Sequence, residues 1–248
     1  TISGASTSTT GKFTNSAFTV SASDSVSGVE NLYMKAPNSS TYTAVGTSRT
    51  VTAGSANGLY SFYAKDKAGN TSATHYVYYD TSLPTITLKK SNGTTVSGDY
   101  VNTAFSCSAT DTGSGVSYMQ YKTPSITSWT TYTSGTSIAT SAANGLYQFR
   151  AVDKAGNISA IRTVTKDTTK PSGTIYGENT AVSSGGSTKA SYIRFAASDA
   201  GAGIDKIYVK KPNTSAYTTY TEGTQFTVNG TYSFYCTDKA GNTSATYT

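Results

Sequence analysis

Apolar and polar residues alternate along this chain in short runs, broken by glycine, asparagine, aspartate and serine. Phe18, Val20 and Ala22 alternate with Thr19, Ser21 and Ser23, so a strand there has one apolar face. Leu32 and Met34 flank Tyr33, which is expected to point outward. Tyr60, Phe62 and Ala64 alternate with Ser61, Tyr63 and Lys65. This period of two, with frequent turn residues, predicts short strands of antiparallel sheets. A last strand of the set is expected from about Ala73 to Tyr79, with Val77 at its centre.

The pattern then repeats. NGLYSFYAKDKAGNTSAT (57 to 74) returns as NGLYQFRAVDKAGNISAI (144 to 161) and NGTYSFYCTDKAGNTSAT (229 to 246). Its glycine stands at Gly69, Gly156 and Gly241, a spacing of about 86 residues that suits a small sandwich domain and is too long for a solenoid unit. Positive φ is expected at these glycines, as a short hairpin requires. A second block recurs upstream: FTVSASDSVSGVENLYMKAP (18 to 37), FSCSATDTGSGVSYMQYKTP (105 to 124) and IRFAASDAGAGIDKIYVKKP (193 to 212). DTSLP (80 to 84) and DTTKP (167 to 171) stand between the copies.

Composition agrees. Twenty Tyr, a low 13% of charged residues and a hydrophobic fraction of 36% fit several thin β cores better than one thick core. The 19 Lys and Arg outnumber the 13 Asp and Glu, but they are scattered, so a nucleic-acid partner is not expected. No apolar run is long enough to cross a bilayer, so direct membrane insertion is not expected either.

The pattern G-x-Y-x-F-x-A-x-D-x-A-G-N, preceded by D-x-x-x-G-[VI] and followed by D-T-[ST]-x-P, resembles the bacterial Ig-like domain repeats of secreted and cell-wall-associated surface proteins. The resemblance covers all three copies; Thr231 replaces Leu and Cys236 replaces Ala. It implies an all-β chain of three tandem immunoglobulin-like antiparallel β-sandwich domains of about seven strands each. Their expected bounds are 1–82, 83–169 and 170–248, with the last strand of the third cut short. The chain thus reads as a piece of a longer array with flanking domains. Phe18 opens strand B, Leu32 lies in C, Tyr60 begins F and Val77 lies in G. Tyr60, Tyr147 and Tyr232 take the place of the tyrosine corner.

Few residues offer chemistry. Cys107 sits at a B-strand position of the second copy and Cys236 at an F-strand position of the third, so two buried free thiols are expected. The single His75 aligns with Arg162 at the surface and can build neither a zinc site nor a catalytic triad. The recurring acids sit at turns in every copy rather than in one pocket, and the chain is expected not to be an enzyme. Lys35, Lys122 and Lys210, with an Asp and an Asn nearby in sequence, are the ingredients of an intramolecular isopeptide bond.

The turn acids have two readings. Each can accept backbone N–H groups in its own turn. Alternatively they converge where domains meet, because B–C and F–G loops lie at the end where the chain enters. Asp80 then approaches Asp111, Asp153 and Asn157, while Asp167 approaches Asp199, Asp238 and Asn242. Carboxylates with an amide are a ligand set for Ca2+, the one cofactor this sequence suggests. Tyr33, Tyr208 and Trp129 are the candidate exposed aromatics for a glycan or protein ligand.

The expected function is a non-catalytic spacer or stalk in an adhesin-type bacterial extracellular or surface protein, positioning a distal domain. The alternatives are a binding module for a glycan or partner protein, and accessory domains of a secreted carbohydrate-active enzyme. The expected location is secreted or cell-surface, and low cysteine use adds a Gram-positive source.

Overall fold

The computed structural model describes residues 2–3 and 12–248, with side chains from Lys12 onward. Thr1 and residues 4–11 of the expected first domain lie outside the described residues. The described chain is all β. Its first part carries β1 (Ile2–Ser3), β2 (Lys12–Thr14), β3 (Phe18–Ser21), β4 (Val29–Lys35), β5 (Thr43–Ala44), β6 (Ser48–Val51), β7 (Gly58–Asp66) and β8 (His75–Tyr79). There follow β9 (Thr85–Lys90), β10 (Tyr100–Val101), β11 (Phe105–Thr110), β12 (Val116–Thr123), β13 (Ile126–Tyr132), β14 (Ser137–Ile138), β15 (Gly145–Asp153) and β16 (Arg162–Lys166). The last part has β17 (Ser172–Gly177), β18 (Thr180–Val182), β19 (Ile193–Ser198), β20 (Ile204–Lys210), β21 (Thr218–Tyr220) and β22 (Ser233–Asp238).

These strands form three pairs of sheets. The orders are β1-β3-β6 with β2-β8-β7-β4-β5, then β9-β11-β14 with β10-β16-β15-β12-β13, then β18-β17-β19 with β21-β20-β22. Each pair encloses its own apolar cluster: Phe18, Leu32, Phe62 and Val77 in the first, Leu88, Phe105, Phe149 and Val164 in the second, Phe195, Val209 and Phe234 in the third. We call each pair with its cluster a unit. The inward residues are those the alternation selects, because a pleated strand turns every second side chain to one face.

Two expectations need correction. The first two units have eight described strands rather than about seven, and their sheets are not wholly antiparallel. β2 runs parallel to β8, and β10 parallel to β16. In the second unit the chain first pairs with one sheet through β9, then crosses to the other and covers the free edge of its last strand through β10. That crossover closes an edge that would otherwise be open to pairing. The predicted strand from Ala73 begins at His75, which is exposed.

The tyrosine corners are formed. Tyr60, Tyr147 and Tyr232 donate their hydroxyls to the carbonyls of Ala56, Ala143 and Val228, at 3.0, 2.9 and 3.1 Å. A second set of tyrosines was not foreseen. Tyr132 lies between the sheets, where its hydroxyl accepts the Cys107 N–H at 2.9 Å and donates to the Thr136 carbonyl. Tyr220 repeats this with Phe195 and Thr224. In the first unit this stretch is shorter and apolar Val45 packs there.

Candidate functional site

The recurring turn residues meet where one unit follows another, and each is set there by its own loop. Asp153 ends β15, and Gly156 takes φ of 95° in the tight turn that follows. That turn aims the Asn157 backbone N–H at Asp153 Oδ1 (2.8 Å) and its side-chain amide at Oδ2 (2.7 Å). Asp238 and Asn242 repeat both bonds, and so do Asp66 and Asn70. Upstream, Asp111 Oδ2 accepts from Gly113 N and Gly115 N, and Asp199 Oδ2 from Gly201 N and Gly203 N. The local-turn reading therefore holds for these oxygens.

The convergent reading holds as well. The linker aspartates insert into the following unit: Ser114 N donates to Asp80 Oδ2 at 2.5 Å, and Ala202 N to Asp167 Oδ2 at 2.7 Å. The second amide hydrogen of Asn157 reaches the Asp80 carbonyl at 2.8 Å, and that of Asn242 the Asp167 carbonyl at 2.9 Å. Carboxylate oxygens of Asp80, Asp111 and Asp153 lie within 4.8 Å of one another, as do those of Asp167, Asp199 and Asp238. Asp80, Asp153, Asp167 and Asp238 are at most 2% exposed.

The preceding unit grips the same linker. Asn57 accepts from the Thr81 backbone and hydroxyl and donates to Asp80 Oδ1 and Ser82 Oγ. Asn144 treats Thr168, Asp167 and Thr169 in the same way. Sequence reasoning missed these asparagines, although their signal was present: each precedes the glycine that opens the repeated G-x-Y block. Across the joints, Lys154 lies over the Phe13 ring at 5.7 Å and Lys239 over Tyr100 at 6.0 Å. Among the described residues the ion pairs are Lys65–Glu30 and Arg162–Asp99, neither of them at a joint.

Charge at the joint is balanced by N–H groups. Burial pushes the Asp80 pKa up, but donors from Ser114 and Ser82 outweigh it and hold the carboxyl below its ordinary value. One oxygen in each cluster is left over: Asp111 Oδ1 and Asp199 Oδ1 are buried with no hydrogen-bond partner.

The other candidates are placed differently. Tyr33, Trp129 and Tyr208 are half-buried rather than exposed, because each packs on neighbours of the outer sheet face. Tyr33 stacks on Tyr63 and Tyr208 on Tyr235, with ring centroids 4.9 and 4.7 Å apart. Arg150 lies over Trp129 at 4.4 Å while bonding Gln120 twice. Lys35, Lys122 and Lys210 sit over the rings of Tyr42, Trp129 and Tyr217. They are thus engaged with aromatic rings, whereas the turn asparagines hold aspartates. Cys107 and Cys236 are buried and free, and burial pushes the Cys107 thiol up to about 12.

No protein-family model matches the chain, and no curated protein matches it. Among solved structures it is similar to the fibronectin(III)-like modules of Clostridium thermocellum CbhA, with 14% identity over 67% of this chain and 92% of that one, at a TM-score of 0.33. It is also similar to a 1.5-MDa bacterial ice-binding adhesin, with 15% identity over 92% of this chain and 87% of that one, at a TM-score of 0.25.

Proposed function

We propose that the chain is a non-catalytic spacer: three sandwich domains, 1–82, 83–169 and 170–248, held end to end in a bacterial extracellular or cell-surface protein to carry another domain at a distance. The observation that supports this reading is the joint. Each linker begins with an aspartate that is almost fully buried, gripped by an asparagine of the unit before and by a backbone N–H and an asparagine amide of the unit after. A linker fixed from both sides cannot hinge freely, and rigidity is what a spacer needs. With strands rising about 3.3 Å per residue, three domains span on the order of 100 Å. Small-angle X-ray scattering tests it: the expected result is a rod of that order with a narrow spread of shapes. A compact or broadly flexible chain would refute it.

The clusters Asp80–Asp111–Asp153 and Asp167–Asp199–Asp238 support Ca2+ as a ligand of the joints. The residues fit. The leftover Asp111 Oδ1 and Asp199 Oδ1 are buried acceptors with no donor, three like charges crowd each joint, and hard oxygen donors suit Ca2+. The ion would neutralise carboxylates that otherwise repel, fastening linker to domain. Two sites per chain are expected by calorimetry, with a rise of about 2.7 kcal/mol in joint stability at a hundredfold excess over Kd. No binding heat and an unchanged melting temperature would refute the metal and leave the hydrogen-bonded joint standing. The alternative of a glycan- or protein-binding surface at Tyr33, Trp129 and Tyr208 is less well supported, because Tyr33 and Tyr208 are stacked on Tyr63 and Tyr235 and Trp129 is covered by Lys122 and Arg150.

A further inference from the structure

The three B–C loops share one geometry but not one residue. In each, an aspartate Oδ2 accepts from the N–H groups two and four positions later: Val26 and Gly28 from Asp24, Gly113 and Gly115 from Asp111, Gly201 and Gly203 from Asp199. The N–H between them differs. Ser114 N and Ala202 N go to linker aspartates, whereas Ser27 N turns back to Asp24 Oδ2 at 2.8 Å. The residue two after the aspartate tracks this difference: glycine at 113 and 201, valine at 26.

Neither Gly113 nor Gly201 is among the positive-φ glycines, so backbone strain does not demand glycine there. Space does. A Cβ on Gly113 would lie 2.1 Å from Asp80 Oδ2, and one on Gly201 would lie 2.1 Å from Asp167 Oδ2. Carbon cannot approach a carboxylate oxygen that closely, and a carboxylate held by N–H groups on two units has nowhere to retreat. Val26 stands at the corresponding position, where its branched side chain is 93% exposed.

We infer that this position is a steric gate for the aspartate lock: glycine admits a linker aspartate and Val26 refuses one. The end face of the first unit is therefore not an aspartate-locked joint, and whatever packs on it does so by other chemistry. This rests on the joint reading above. Hydrogen exchange of the Ser114 amide in the 248-residue chain tests it, with Trp129 fluorescence confirming that the second unit stays folded. Gly113→Val is expected to speed exchange at Ser114 about tenfold or more, and so is Asp80→Ala, which removes the acceptor. If Asp80→Ala frees Ser114 and Gly113→Val does not, the gate is wrong. If neither frees it, the joint reading itself fails and takes the gate with it. Should valine prevent folding of the second unit, Gly113→Ala decides: its φ is open to any residue, and its Cβ alone reaches the aspartate. Val26→Gly is expected to leave exchange in the first unit unchanged.

Discussion

Asn157→Ala measures the joint against a built-in control. The side-chain amide of Asn157 spends one hydrogen inside its turn, on Asp153, and the other across the joint, on the Asp80 carbonyl. Asn70 makes the turn bond, to Asp66, and is exposed. Removing a solvent-exposed turn bond costs about 0.5–1.5 kcal/mol. Leaving the Asp80 carbonyl and part of the Asp153 carboxylate buried and unpaired adds about 1–3 kcal/mol. Asn157→Ala should therefore lose about 2–4 kcal/mol, and Asn70→Ala no more than about 1.5. At roughly 4–8 °C per kcal/mol for a domain of this size, the second unit should melt about 10 °C or more lower. Trp129, the one tryptophan, lies in that unit, so its fluorescence follows that transition without contribution from the others. If Asn157→Ala moves it by less than about 3 °C, the joint bond contributes little and the rigid-linker argument loses its energetic basis.

Three further outcomes are expected. Tyr132→Phe strands the Cys107 N–H inside the core, at about 1–3 kcal/mol by urea titration of Trp129 fluorescence; Tyr147→Phe in the same unit frees only the carbonyl of exposed Ala143 and should cost about 1 kcal/mol or less. Both thiols are raised by burial, so a disulfide-exchange reagent at pH 8 should label neither cysteine in the folded chain and both in denaturant; rapid labelling of the native chain would contradict their burial. The Asp80 carboxyl lies below its usual 3.8, so its contribution is complete above that pH and is lost as pH falls through the lower folded value. Scattering and Ser114 exchange should report a joint that loosens below about pH 4, and tightening on acidification would reverse the sign and refute the assignment.

Much of this molecule could be read from its residues. Agreement among three copies located the turns at Gly69, Gly156 and Gly241, the inward faces of Phe18 and Phe62, the tyrosine corners and the aspartates that meet at the joints. The rest depended on facts a sequence does not carry. Thr-Thr-Tyr-Thr around Tyr132 reads as an exposed polar strand, and only the space between the sheets shows that its hydroxyl serves a core backbone N–H. The parallel pairing of β10 was hidden because two residues are too short to display a period. Nothing in the sequence around Gly113 shows that its missing Cβ makes room for Asp80. The choice between local turn and shared cluster was a false one, because a carboxylate has two oxygens and Asp111 uses one for its own turn.

The parallel pairs of the first two units also decide how this chain carries a load. Pulled from its two ends, a unit is held by its incoming segment at one end and by its last strand at the other. In the second unit the incoming segment is β9 followed by β10; β10 and the last strand β16 lie side by side, and Asp167 N extends that pair by bonding to Val101 O at 2.9 Å. Strands running the same way but tugged from opposite tips are loaded in shear, so their hydrogen bonds must fail together rather than unzip singly. The linker aspartate that fixes the joint is also the last rung of this clamp. Tension reaching the second joint thus passes through Asp167 into the parallel β10–β16 pair, so the proposed spacer is also expected to bear load along its length.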